Sequence, residues 1–279
     1  MSVVWKDGSE PEAVRVSPLG WLRAAIRGPA IVLVIVTGLV AMYVLRLVEK
    51  PLYGLRRPLT PWITQTVCRL SLAILGLKLT VTGRQMRAKG AVVANHASWL
   101  DIFVLNARKR VYFVSKAEVA GWPGINLLAK ATGTVFIKRE RREAGAQVAL
   151  FRDRLAAGHK LLFFPEGTST DSRRVLPFKT TLFAAFFDDA LRDWMQVQPV
   201  TVIYRAPKGR DARFFGWWGA QDMGPHLLKV LAQWPQGSVE LVYHEPVAVS
   251  EFADRKALAG YCEQAVRTPL DVEIAKGAL

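Results

Sequence analysis

Two short stretches of this 279-residue chain carry side chains whose types and spacing allow chemistry. The first is Asn95-His96-Ala97-Ser98-Trp99-Leu100-Asp101, which follows the apolar run Ala91–Ala94. Within one helix, a spacing of five would set His96 and Asp101 on different faces. Across a strand–turn–helix corner, with Ser98 capping the helix and Asp101 in its first turn, the carboxylate can turn back to the imidazole. An Asp bonded to one ring nitrogen fixes the tautomer and stabilises the imidazolium, and the other nitrogen is left as a general base. The same residues equally fit a plain capping box formed by Ser98 and Asp101, with His96 an ordinary loop residue. The second stretch, Phe163-Phe164-Pro165-Glu166-Gly167-Thr168, closes another apolar run. Its Pro-Glu-Gly turn gathers a carboxylate, backbone N–H groups and a hydroxyl. Such a turn can hold an anion or polar headgroup, or merely reverse the chain.

Both stretches need strands that end in loops, and the sequence beyond Gly83 supplies them. Short β-branched runs at Ala91–Ala94, Val111–Val114, Thr134–Ile137, Leu161–Phe164, Pro199–Tyr204 and Val239–Tyr243 predict strands. Amphipathic segments at Arg141–Ala156, Thr180–Leu191 and Pro225–Trp234 predict helices between them. Strands alternating with helices predict a layered α/β domain with a mixed, largely parallel sheet. In such sheets, catalytic groups gather where strands end.

Before Gly83 the chain is different. Gly28–Leu45 is eighteen residues without a charge, the lower limit for a membrane-spanning helix, and Arg46, Lys50, Arg56 and Arg57 follow it. The late start and the lack of a small-residue cleavage site argue against a signal peptide. A second apolar stretch, Trp62–Leu79, is interrupted by Arg69 and Lys78, and suits a helix in the headgroup layer paired with the first. The expected division is therefore 1–79, an anchoring helical pair, and 80–279, the catalytic body. The charges after the anchor are almost purely basic, which places that body on the cytoplasmic side.

The formal charge of +15 calls for an anionic partner. Residues 1–90 carry +9 of it and are also the most apolar third, which favours a bilayer over nucleic acid. No nucleic-acid module is apparent. Two distant cysteines, Cys68 and Cys262, fit a reducing compartment, and His96, His159, His226 and His244 form no zinc-like pair. His159, His226 and His244 read as structural. No cofactor or metal is expected.

Taken in order, the motifs resemble those of the glycerolipid acyltransferase family, which includes lysophosphatidate and lyso-ornithine lipid acyltransferases. His96 to Asp101 is similar to its HxxxxD block, and Gly133-Thr134-Val135-Phe136-Ile137-Lys138-Arg139 to its second block. Phe164–Thr168 resembles the third block and Gln198-Pro199-Val200 the fourth. Ser115-Lys116-Ala117-Glu118, with Pro123-Gly124, matches the usual linker between the first two. The resemblance implies that His96, oriented by Asp101, takes the proton of an acceptor hydroxyl as it attacks a thioester. No GxSxG elbow is present, so no acyl-enzyme is implied. It further implies that Arg139 holds an anionic group and that Glu166 and Gly167 shape the acceptor site. Asn95, Ser98, Lys116, Lys138, Thr168, Ser169 and Arg173 complete the implied substrate-binding set.

The implied donor is an acyl carrier protein or coenzyme A thioester. The basic run Lys138, Arg139, Arg141 and Arg142 fits either, and fits a solvated helix start as well. Ser169 stands where lysophosphatidate acyltransferases usually carry Arg, which weakens the case for a phosphate on the acceptor. Arg173 and Arg174 follow closely as possible substitutes. Phe214–Gly219 and Asp222–His226 resemble the lyso-ornithine branch, and Trp217 and Trp218 fit either a membrane interface or internal packing. The acceptor expected is a lyso-ornithine-type aminolipid, with 1-acylglycerol 3-phosphate as the alternative.

Overall fold

The computed structural model describes residues 5–277 apart from 7, 9, 10, 13, 118–120, 122–124 and 138–142. In chain order the elements are α1 (Pro18–Tyr53), α2 (Thr60–Leu75), β1 (Lys78–Thr82), β2 (Gly90–Ala94), α3 (Asp101–Arg108), β3 (Tyr112–Lys116), α4 (Ile125–Thr132), β4 (Val135–Ile137) and α5 (Ala144–Ala156). They continue with β5 (Lys160–Phe163), α6 (Asp189–Arg192), β6 (Gln196–Arg205), α7 (Met223–Ala232), β7 (Ser238–Tyr243), β8 (Val247–Ala248) and α8 (Arg255–Ala275).

The strands form one mixed sheet in the order β1-β7-β6-β2-β5-β3-β4, with β8 also pairing β6. From β6 to β4 every neighbour pair is parallel, whereas β7 and β8 run antiparallel to β6. The parallel strands are apolar without alternation because helices cover both faces. Val92, Ala94, Val202 and Tyr204 point into a core shared with α2, α3 and α7. Ala91, Val93, Phe163 and Ile203 point into a second core shared with α5 and α8.

Three sequence expectations change. The helix expected over Thr180–Leu191 is a 3₁₀ helix, Thr180–Phe187, followed by the single turn of α6. Three residues per turn put Phe183 and Phe186 on one side, and both pack on Phe163, with ring centroids 5.5 and 5.4 Å away. The fourth-block strand runs from Gln196 rather than Pro199. Pro199 is tolerated inside it because β6 changes partner there, from β8 at Val197 to β7 at Val200. Finally, α2 is more than a partner of α1: its Cys68, Leu72 and Leu75 are buried in the core of the catalytic body, while Trp62 and Leu70 stay exposed.

Among the described residues, α1 is the one helix long and apolar enough to cross a membrane, with a mean hydropathy of 2.6 over its most apolar window. Only 11% of that window is buried, yet the helix is not free-standing. Arg27 donates to the carbonyls of Leu231 and Gln233 at 2.9 and 2.8 Å, which ties α1 to the C-terminus of α7. At its other end the buried Glu49 accepts from the Leu59 and Thr60 amides, at 2.8 and 3.1 Å, and from the Thr60 hydroxyl at 2.7 Å. A carboxylate at the N-terminus of α2 satisfies donors that the helix cannot. The result is a helical hairpin with one side on the body and the other exposed. β1 crosses the expected boundary between residues 79 and 80 and joins the sheet beside β7.

Candidate active site

The corner between β2 and α3 forms as its residue types suggest. β2 is fully buried between β5 and β6, and Asn95 extends its pairing past the last ladder residue. The Asn95 side chain donates to the Val202 carbonyl at 3.0 Å and accepts the Val202 amide at 2.7 Å. The chain then turns, and α3 starts at Asp101 itself.

The Asp101 carboxylate is fully buried and receives four donors. Its Oδ2 accepts from His96 Nδ1 at 2.7 Å and from the Ala97 and Ser98 amides at 2.8 and 3.0 Å. Its Oδ1 accepts the Tyr204 hydroxyl at 2.7 Å. The two amides can only donate to it, and the tyrosine hydroxyl donates as well. Because the carboxylate only accepts, the shared proton belongs to His96 Nδ1, and Nε2 is left without a partner among the described residues. The imidazole stacks on Phe164, 4.1 Å between centroids and 10° from parallel, and its side chain is 22% exposed. One carboxylate thus holds the turn and orients the ring, but the N-cap of α3 is Leu100, without a side-chain cap, and not Ser98, so the expected capping box does not form. A ring held on Nδ1 and open at Nε2 can accept a proton from a bound hydroxyl.

The third block fixes His96 through its backbone. Glu166, 1% exposed, accepts the His96 amide through Oε1 at 2.7 Å and the Leu176 amide through Oε2 at 2.7 Å. The His96 carbonyl accepts from the Thr170 amide at 2.9 Å and its hydroxyl at 3.2 Å. Burial pushes the Glu166 carboxyl up to about 8, against the pull of its two amide donors. Glu166 therefore acts on the site through the main chain. Gly167 closes the turn at φ 75°, a conformation that costs a side-chain-bearing residue.

The remaining expected residues divide. Ser98 is buried in the turn, where its hydroxyl accepts the Leu100 amide at 3.4 Å. Asn95 and Ser98 thus belong to the scaffold, not to a substrate surface. The Ser169 hydroxyl donates to the Trp217 carbonyl, and the Trp217 amide donates to Ala97 at 2.8 Å. The Phe214–Gly219 loop therefore bridges the first and third blocks. It comes this close because Gly216 lacks a Cβ, which would meet the Asp171 backbone at 2.5 Å. Trp218 is buried and Trp217 half-buried, so these indoles pack inside instead of marking a bilayer interface. Arg174 pairs with Asp171 at 2.8 Å, whereas Nη1 of Arg173 is buried with no hydrogen-bond partner among the described residues. Lys116 ends β3, and Ile137 pairs with it from β4, at the same end of the sheet as His96. Lys138, Arg139, Arg141 and Arg142 lie outside the described residues, as do Glu118, Pro123 and Gly124.

Two contributors escape the motif pattern. Tyr204 is fully buried, and both burial and the Asp101 charge hold its hydroxyl proton well above the usual range, so it remains a donor. A buried tyrosine in an otherwise aliphatic strand needs a partner, which is the signal that could have found it. Trp5 donates to the Thr168 hydroxyl at 3.4 Å, accepts the Gly219 amide at 3.1 Å and lies 4.8 Å from the Arg174 guanidinium. Nothing in its sequence neighbourhood signals this. His226 accepts the Trp99 indole N–H at 2.9 Å and donates to the Gly216 carbonyl at 2.9 Å. Burial lowers it to about 3, so it is a neutral structural histidine.

Against known proteins, the family model described as acyltransferase matches residues 78–203. The chain is 57% identical over 266 residues to the lyso-ornithine lipid O-acyltransferase of Rhodobacter capsulatus, which covers 95% of this chain and 96% of that one. It is 37% identical to the lyso-ornithine lipid O-acyltransferase of Brucella abortus, across 78% of this chain and 83% of that one. In fold it is similar to the crystal structure of the 1-acyl-sn-glycerophosphate acyltransferase from Thermotoga maritima. That likeness has a TM-score of 0.63 over 92% of this chain and 98% of that one, at 22% identity.

Proposed function

The chain belongs to the acyltransferase family, and on that premise we propose that it moves a fatty acyl group from a thioester to the free hydroxyl of lyso-ornithine lipid. Identity of 57% along nearly the whole of a lyso-ornithine lipid O-acyltransferase carries this choice of acceptor. Ser169 is consistent with it, since its hydroxyl is engaged by the Trp217 carbonyl.

In this mechanism Nε2 of His96 takes the proton of the acceptor hydroxyl while that oxygen bonds to the thioester carbonyl carbon. The C–S bond of the resulting tetrahedral intermediate breaks, and the thiol leaves with the proton returned from the imidazolium. Asp101 keeps Nδ1 protonated and stabilises the imidazolium, and Tyr204 holds Asp101. General base catalysis contributes roughly 10²–10⁴-fold, and positioning of the two lipids must supply much of the rest. The partnerless Nη1 of Arg173 is suited to an anionic headgroup, such as the acceptor's carboxylate. The same group would take the phosphate of 1-acylglycerol 3-phosphate, which is the second reading. Lys116, Lys138 and Arg139 would receive an acyl carrier protein or coenzyme A thioester. The bilayer holding the exposed side of α1 would be the cytoplasmic membrane, with the body on its cytoplasmic face.

The test offers purified protein both acceptors side by side, with acyl carrier protein and coenzyme A thioesters as donors. Faster product formation with lyso-ornithine lipid is expected. Faster acylation of 1-acylglycerol 3-phosphate would assign the second reading.

A further inference from the structure

The end of the sheet opposite His96 carries an open cavity of about 1470 Å³ whose lining contains nine Arg and Lys residues and no Asp or Glu among the described residues. They come from separate segments: Arg56 and Arg57 from the α1–α2 turn, Arg84 and Arg87 from the β1–β2 loop, and Arg108 and Arg110 from the end of α3. Arg69 of α2 is the seventh, and Lys109 and Lys160 complete the inner wall. Neither reaches a carboxylate: Lys109 donates to the Met86 carbonyl at 3.0 Å and Gln198 at 3.1 Å, and Lys160 to the Arg87 and Ala88 carbonyls. Burial, and secondarily the nearby Lys160, lowers the Lys109 ammonium to about 7. Like charges gathered this closely repel unless an anion joins them.

We propose that this cavity seats the phosphate headgroup of an anionic glycerophospholipid of the bilayer, at a site separate from the one that binds acceptor and donor. Two observations choose this occupant. The cavity is continuous with the exposed apolar end of the helical hairpin: Tyr53 and Trp62 line it, and Leu52, Leu55 and Leu59 beside it are 68, 53 and 50% exposed. Apolar side chains beside a basic site match a lipid, whose phosphate and acyl chains lie next to one another, and a soluble polyanion gains nothing from them. Trp62, with Arg110 4.4 Å from its ring, joins the two surfaces. The location also argues against the thioester donor. Gly90, Tyr112 and Lys160 begin their strands at this end, whereas His96 follows the last residue of β2. Six residues of strand separate Gly90 from His96, roughly 20 Å, with the packed sheet between.

The test uses full-length protein and flotation with vesicles of phosphatidylcholine, alone or doped with phosphatidylglycerol. The variant carries Arg56→Gln, Arg84→Gln and Arg87→Gln, at three exposed positions outside the active site. A control carries Arg152→Gln, Lys208→Gln and Lys256→Gln, which remove the same charge from exposed positions outside the cavity. The wild type and the control are expected to prefer the doped vesicles. The cavity variant is expected to lose about a hundredfold of that preference, for three cations near an anionic surface. Arg84→Glu alone should move the preference in the same direction. Equal loss in cavity variant and control would reduce the effect to net charge and overturn the proposal. So would an unchanged preference in the cavity variant. Loss of acyl carrier protein binding by that variant, with vesicle preference intact, would overturn it in favour of protein docking.

Discussion

The two ends of the sheet treat charge in opposite ways. At the C-terminal end of β2, Asp101 and Glu166 are buried, and every oxygen of both carboxylates has a donor within 3.0 Å. At the N-terminal end, nine Arg and Lys residues line one open cavity with no carboxylate in its lining among the described residues. The first arrangement fixes one ring in one orientation. The second leaves a basic surface suited to an anion from outside the chain. Satisfied groups pre-organise chemistry, and unsatisfied ones recruit a partner.

Asp101→Asn should have the largest effect at the satisfied end. The amide oxygen can take the place of Oδ2, and the Tyr204 hydroxyl can turn to accept from the amide, so the fold survives. The charge facing the imidazolium is lost, and turnover is expected to fall by about 10²–10⁴-fold with little change in melting temperature. Turnover within severalfold of wild type would show that the buried carboxylate serves the turn alone.

Glu166→Gln should come next. An amide must point its NH₂ at either the His96 or the Leu176 N–H, an unfavourable pairing worth about 1–3 kcal/mol. Loss of both stability and turnover is expected. The pH dependence gives an independent check. Burial raises the folded carboxyl to about 8, above its ordinary value, so the folded state holds this proton more tightly than the unfolded state. The contribution is therefore complete at low pH and is lost as pH rises toward about 8. Melting temperatures across that window should decline in the wild type and decline less in Glu166→Gln.

Tyr204→Phe should cost less. It removes the one donor to Asp101 Oδ1 among the described residues and leaves a buried acceptor unpaired, about 1–3 kcal/mol. A melting temperature lower by several degrees, with turnover down less than tenfold, would place Tyr204 as a support for Asp101. The smallest effect on turnover is expected from the opposite end of the sheet. The triple substitution of Arg56, Arg84 and Arg87 should leave the rate in neutral detergent micelles unchanged, and a large loss there would break the separation of the two ends.

The satisfied end was largely legible in the sequence because its defining pair is local. His96 and Asp101 lie five residues apart, and strand–turn–helix geometry alone turns one toward the other. Tyr204 is 103 residues from Asp101 and reaches it through the register of β6 against β2, which no motif spacing encodes. Asn95 and Ser98 show the converse error: short polar side chains beside a histidine look like substrate ligands, but buried backbone groups claimed them first. Trp62–Leu79 reads as amphipathic in isolation, and only the neighbouring α3 shows that its apolar face belongs to the core. The basic cavity was illegible for a related reason. Its charge was visible as an excess, but its place depends on bringing together residues from 53 to 160.

The most direct test of the His96 assignment is single-turnover acyl transfer to lyso-ornithine lipid by His96→Ala beside the wild type. His96 is partly exposed, and its backbone, not its ring, holds Glu166 and Thr170, so the variant should fold with a melting temperature near that of the wild type. A rate lower by about 10²–10⁴-fold in a folded variant is the predicted result. A folded variant that retains most of the wild-type rate would contradict the assignment of His96 as the base.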